Sequence, residues 1–150
     1  MGLLEEAIML ATDLHRGQVD KGGQPYILHP LRVMQTVKGG NERIAAVLHD
    51  TMEDCGLAWA TIAKRFGNDV ADAVYALSRG EEETYEAFIE RCAQNPIARA
   101  VKLADIADNM DMTRLGREPT AHDASRLSRY SAARAVLIAH QPLNLDHACG

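Results

Sequence analysis

Apolar residues recur at helical intervals along almost the whole chain, and that periodicity constrains the fold more than any other feature. Leu3, Leu4, Ala7, Ile8, Leu10, Ala11 and Leu14 form one stripe, and Gly17 stands where a helix would stop. Pro30 opens a second helix in its first turn, running to about Val37. Asn41 is the expected N-cap of a third helix that continues through "RIAAVLHDTMED". Further helices are expected in "LAWATIAKRFG", "NDVADAVYALSRG" and "ETYEAFIERCAQN", then from Pro96 through "IARAVKLADIADNM", and last from about Asp123 to His140. No alternating β pattern or internal repeat interrupts them, and the "QPLNLDHACG" tail reads as irregular. With only 5% aromatic residues and abundant Ala and Leu, packed helices are favoured over sheets. The expectation is an all-α, compact bundle of about seven or eight helices, with residues 1–150 as one domain.

Charge and cysteine usage narrow the function. A net charge of −5 and the lack of any basic run argue against a nucleic-acid partner. A small anionic ligand stays compatible, because local cations or a metal outweigh the overall sign. Cys55, Cys92 and Cys149 are odd in number and far apart, which fits a reducing cytoplasm rather than a disulfide framework. No apolar run approaches membrane-spanning length, and "MGLLEEAIML" lacks the basic start of a secretory signal.

Chemistry concentrates in "HDTMED", residues 49–54. On a continuous helix, His49, Asp50, Glu53 and Asp54 would share one stripe about 140° wide, directly after the apolar "IAAVL". Burying several uncompensated carboxylates costs several kcal/mol, and a bound cation would remove that cost. The alternative is a solvated acidic face. Three other stretches bear on the choice. "PYILHP" puts His29 at the mouth of a helix, behind Tyr26. "VKLADIADNM" sets Lys102, Asp105 and Asn109 about a turn apart, with Asp105 among apolar neighbours. "DKGGQP" joins Lys21 to glycines that permit close backbone approach to a ligand. Two imidazoles and two carboxylates suit Mn²⁺, Fe²⁺, Zn²⁺ or Mg²⁺ with open positions, and the absence of thiolates argues against structural zinc.

The order "HRGQVDKGGQPYILHPL" (residues 15–31), "LHDTMED", "FGNDVADAV" and "VKLADIADNM" resembles the RelA/SpoT-type HD hydrolase domain. From about Ala7 to Met110 the chain is similar to the free-standing small alarmone hydrolases of that family. The resemblance implies one Mn²⁺ held by His29, His49, Asp50 and Asp105. It implies that Glu53 and Asp54 orient or deprotonate the attacking water. Lys21, Tyr26, Lys102 and Asn109 fall on the substrate side. The implied activity is that of a guanosine-3′,5′-bis(diphosphate) 3′-pyrophosphohydrolase, which gives GDP or GTP from ppGpp or pppGpp in a cytoplasmic stringent response. No synthetase domain is expected in 150 residues, and the oligomeric state, a homo-oligomer included, stays open.

Two departures keep the substrate open. The family usually carries Arg-Lys where this chain has Asp20-Lys21, and it often reads "LADRLHNM" where this chain has Ile106, Ala107 and Asp108. The metal ligand is kept, whereas the substrate shell around it is expected to differ. Adenosine alarmones or another 3′-phosphorylated nucleotide are therefore alternatives to guanosine alarmones, and an inactive nucleotide- or metal-binding sensor is the alternative of another class. Arg114, Arg117, Arg126, Arg129 and Tyr130 are candidates for phosphate or purine contacts. His15 reads as a structural histidine near the site, Trp59 as core or helix packing, and His122, His140 and His147 as relevant only to a binuclear site.

Overall fold

The computed structural model describes residues 2–141. The expected irregular tail, with His147 and Cys149, lies outside the described residues apart from Gln141. Among the described residues there are nine α-helical segments and no strands. They are α1 (Leu3–Leu14), α2 (Leu28–Thr36), α3 (Gly40–Leu48), α4 (Thr51–Cys55), α5 (Trp59–Phe66), α6 (Asn68–Ala76), α7 (Tyr85–Ala93), α8 (Pro96–Asn109) and α9 (Ala121–Ala139), with a 3-10 turn at Met112–Arg114. Because α4 is only five residues long, this is the all-α bundle of seven or eight full helices that the periodicity calls for.

The middle of the bundle is α3, whose Ile44, Ala45, Ala46, Val47 and Leu48 are all buried. It packs against α1, α2, α6 and α8. A helix enclosed on so many sides must be apolar around its circumference, which explains the "IAAVL" run. From the other side α8 supplies Ala98, Val101, Ala104 and Ile106, so Ile106 is a core residue with no exposed surface. Its N-terminus is closed by Asn95, whose side chain accepts the Ala98 N–H at 3.0 Å, with Pro96 following as N1. The long α9 begins at a capping box: Thr120 Oγ1 accepts the Asp123 N–H, and Asp123 accepts the Thr120 N–H in return.

Two local expectations change, and that for Trp59 narrows from core or helix packing to the second. The N-cap of α3 is Gly39 rather than Asn41, and no side chain caps it. Trp59 is 41% exposed on α5 and spans to α6 through its indole N–H, which donates to Asp72 at 2.9 Å. Most important, the helix carrying "HDTMED" is not continuous. Side chains take the carbonyls at the end of α3: the Ala46 oxygen accepts from His49 Nδ1 at 2.7 Å, and the Leu48 oxygen accepts from the Thr51 hydroxyl at 2.7 Å. Asp50 then sits at φ −101°, ψ −2°, at the edge of the right-handed helical region. The break re-aims Glu53 and Asp54, so the shared stripe of a straight helix does not form.

Candidate metal centre

Three elements bring the site together. His29 lies in the first turn of α2, positioned by the loop before it. Within that loop Asp20 Oδ1 accepts the N–H groups of Gly22 and Gln24 at 2.9 Å each, and Gly23 adopts φ 81°. A side chain on Gly22 would collide with the Arg114 carbonyl, so the loop lies directly against the α8–α9 linker. His49 comes from the break after α3, and Asp105 from the buried face of α8.

Ligand atoms of His29, His49 and Asp105 lie within 4.8 Å of one another, and all three residues are buried. His29 Nε2 is 2.9 Å from Asp105 Oδ1, and His49 Nε2 is 3.5 Å from the same oxygen. Asp50 joins from the side: its Oδ2 is 3.0 Å from His49 Nε2 and accepts the Tyr26 hydroxyl. The tautomers follow from the outer bonds. His49 Nδ1–H is used on the Ala46 carbonyl, and His29 Nδ1 meets Asp108 Oδ2 at 2.6 Å. Both Nε2 lone pairs therefore face carboxylate oxygens. His49 Nε2 is buried and, despite its closeness to two carboxylates, has no hydrogen-bond partner.

Such an arrangement repels itself unless a positive charge sits inside it. One ammonium is built in: Lys102 Nζ holds Asp105 Oδ2 at 2.8 Å, while Asn109 Nδ2 donates to Oδ1 at 3.0 Å. The remaining demand is visible in the titration. Burial pulls the His29 and His49 pKa values down, but Asp105 and Asp108 on the first, and Asp50 and Asp105 on the second, more than reverse it. Burial pushes Asp105 up, and the charges of Lys102 and His49 hold it well below the usual carboxylate range. A divalent cation at the convergence of the two Nε2 atoms and the two carboxylates would meet the same demand with ligands suited to it.

On α4, burial first and then Asp50 and Glu53 push the Asp54 carboxyl up. Glu53 points away towards the loop after α6, where its Oε1 accepts the Arg79 N–H at 2.8 Å.

Beside the centre is a cavity of about 370 Å³, lined by the 19–22 loop, Tyr26, His29, Arg32, Asp108, Asn109, the linker from Asp111 to Leu115, Arg126 and Tyr130. Lys21, Tyr26 and Asn109 are thus gathered on it, whereas Lys102 is engaged on Asp105 and is absent from the lining. Among the late arginines, Arg114 and Arg126 line the cavity and Arg117 is held on Asp123 at 2.7 Å. Residue 108, read from the sequence as part of a changed substrate shell, is instead a hub. Asp108 holds His29, takes Arg32 Nε at 2.8 Å and Nη2 at 3.1 Å, and takes Arg114 Nη2 at 2.8 Å. The available signal was its spacing of three from Asp105, which puts both on one helix face. His15 is buried, with Nδ1 2.9 Å from Gln18 Oε1, and packs on Tyr26 at 5.0 Å between ring centroids.

Comparison with known proteins gives a consistent picture. The model of the family described as HD domain matches residues 7–139. A guanosine-3′,5′-bis(diphosphate) 3′-pyrophosphohydrolase of Aquifex aeolicus is 33% identical over 127 residues, covering 77% of this chain and 18% of the relative. The bifunctional (p)ppGpp synthase/hydrolase SpoT of Escherichia coli is 31% identical over 122 residues, covering 71% and 17%. This chain therefore spans less than a fifth of the length of these curated relatives. A solved structure, described as a metazoan orthologue of SpoT that hydrolyses ppGpp and plays a role in starvation responses, shares the fold. Its TM-score is 0.74 at 24% identity, covering 93% of this chain and 85% of that one.

Proposed function

This chain belongs to the HD-domain family, and from that premise we propose that it is a metal-dependent hydrolase that removes the 3′-pyrophosphate from guanosine or adenosine alarmones. The observation that carries the reading is the convergence of His29 Nε2, His49 Nε2, the buried Asp105 and the half-buried Asp50, with one built-in ammonium for the two carboxylates. These four residues would hold a divalent cation; a mixed imidazole and carboxylate set accepts Mn²⁺, which we take as the metal from the resemblance, and equally Fe²⁺, Zn²⁺ or Mg²⁺. Such a cation supplies Lewis acidity toward phosphoryl oxygen and lowers the pKa of water.

The protein's own residues supply the rest. Asp54, its carboxyl raised by burial and by Asp50 and Glu53, takes the proton from the attacking water. The water oxygen bonds to the phosphorus next to the ribose, the bond from that phosphorus to O3′ breaks, and O3′ receives a proton. ppGpp then gives GDP and pyrophosphate. Burial and Asp50 push the Tyr26 phenol far up, so it stays protonated and keeps Asp50 in place as a donor. Lys21 and Asn109 at the cavity wall meet the nucleotide, and Tyr130 offers a ring face to the purine. Arg32 and Arg114 are committed to Asp108 and shape the pocket rather than contact phosphate.

A second reading, another 3′-phosphorylated nucleotide, is favoured by Asp20. Its Oδ1 is spent on its own loop, and no arginine stands at that position to stack on guanine. The test is product chromatography on Mn²⁺-loaded protein with ppGpp and ppApp side by side. Pyrophosphate together with the nucleoside 5′-diphosphate is the expected outcome. Metal bound with neither substrate cleaved would move the assignment to other nucleotides or to a sensor.

A further inference from the structure

Gly22 is a glycine for a reason its own backbone does not supply. Unlike its neighbour Gly23 at φ 81°, it lies outside the left-handed region, so its conformation suits an ordinary residue. What excludes a side chain is the α8–α9 linker. A Cβ on Gly22 would fall well inside contact distance of the Arg114 carbonyl oxygen and 3.3 Å from its carbon. Both sides of that contact are fastened. The turn at residues 20–24 closes through the two N–H groups on Asp20 Oδ1, the Asp20 N–H on the Gln24 carbonyl at 2.8 Å and the Val19–Pro25 bridge. The linker, residues 110–120, is tied down by Arg114, which donates to the Asp108 carbonyl at 3.2 Å and to Asp111 Oδ2 at 2.8 Å. Among the described residues no hydrogen bond joins the turn to the linker. Two stiff segments therefore meet by contact alone, and both line one cavity, with Lys21 on one side and Met112 and Leu115 on the other.

We propose that Gly22 is a positioning residue for the nucleotide: having no side chain, it lets the linker seat on the turn, and that seat sets the width of the cavity. The proposal rests on the nucleotide reading above and adds what fixes the distance between the cavity walls. A methyl group at residue 22 meets main chain rather than the end of a flexible side chain, so no rotamer change absorbs it. The linker moves out or the turn moves back. Either shift separates Lys21 from Met112 and Leu115, and a ligand that touches both walls loses contact with one. The residues assigned to the cation come from α2, α8 and the break after α3, and neither wall supplies one.

The test is equilibrium dialysis of GDP, of ADP and of inorganic pyrophosphate against Mn²⁺-loaded wild type, Gly22→Ala, Gly22→Val and, as a control on the same turn, Gln24→Ala. Gln24 is exposed, lies outside the cavity lining and contributes only main-chain hydrogen bonds. The expected result is nucleotide affinity about tenfold lower in Gly22→Ala and lower again in Gly22→Val, with pyrophosphate affinity and metal content unchanged. Gln24→Ala should match wild type throughout. Amide hydrogen exchange over residues 110–118 of the nucleotide-free protein should quicken in the Gly22 variants alone, which reads the seat itself. In turnover, KM for ppGpp or ppApp rises while kcat holds. Wild-type nucleotide affinity and linker exchange in both Gly22 variants would overturn the proposal. So would an equal loss of pyrophosphate or of metal, which would make Gly22 a structural support of the metal centre. The expected binding pattern in a protein that cleaves no alarmone would retract the reaction and keep the seat. Wild-type protein that binds neither nucleotide would overturn the positioning role.

Discussion

Asp105 and Asp108 lie three residues apart on α8, and their charges are completed in opposite ways. Asp108 belongs to a region that brings its own cations: Arg32 and Arg114 bind it beside the His29 Nδ1, Arg114 also takes Asp111 at 2.8 Å, and Arg117 and Arg126 close on Asp123. Asp105 belongs to a region that brings imidazoles whose lone pairs face it, with one ammonium, Lys102, paired to it and none on Asp50 beside it. Where a guanidinium is built in, a carboxylate is scaffold. Where neutral ligands are built in, the charge is left for an ion to complete.

The largest effect expected from this contrast is at Asp105. Asp105→Ala removes a ligand and strands Lys102, so metal affinity falls by more than the ~100-fold typical of an outer-shell loss. Turnover falls with it, as metal analysis and product assays on the same preparation would show. Asp108→Asn tests the other side. It weakens the hold on His29 and loosens Arg32 and Arg114, and the expected loss is about 10- to 100-fold in metal affinity with the fold retained by circular dichroism. A loss at Asp108 as large as that at Asp105 would erase the distinction.

Away from the centre the effects shrink and become purely structural. Thr120→Ala removes the hydroxyl that caps α9, costing about 1 kcal/mol, or roughly 2–4 °C in thermal midpoint, with metal content untouched. Glu83 gives the smallest effect and a pH signature. Hydrogen bonds from Arg91 and from the Gly80 N–H hold its carboxyl down at about 2, against an ordinary 4.5. A depressed folded-state pKa contributes stability above the unfolded value that is lost as pH falls through the folded one. The midpoint difference between wild type and Glu83→Gln should thus be full above pH 4.5 and gone near pH 2. A difference constant across that window would remove Glu83 from the account.

Much of the bundle was legible because apolar spacing and the opening Pro96 are local signals, whereas the Thr120 cap, which starts α9 at Ala121 rather than about Asp123, went unread. The break between α3 and α4 was not legible either. It arises where His49 Nδ1 and the Thr51 hydroxyl take backbone carbonyls, a competition that residue periodicity does not register. His29, His49, Asp50 and Asp105 were legible as a motif order, and the fold gathers them. Asp108 escaped because its partners Arg32 and His29 lie 76 and 79 positions away, so its spacing on α8 had no visible counterpart. Gly22 was legible as room for close approach to a ligand, but the main-chain carbonyl it makes room for, that of Arg114, comes into view only once the linker is packed.

The central claim is that these imidazoles and carboxylates await a divalent cation. Calorimetric titration of chelator-stripped protein with Mn²⁺, alongside Asp105→Ala, tests it most directly. The account predicts one cation bound per chain in the wild type, with pyrophosphate release from ppGpp or ppApp appearing in step with it, and neither in the variant. Binding that persists undiminished in Asp105→Ala, or wild-type protein that binds no divalent metal, would contradict it.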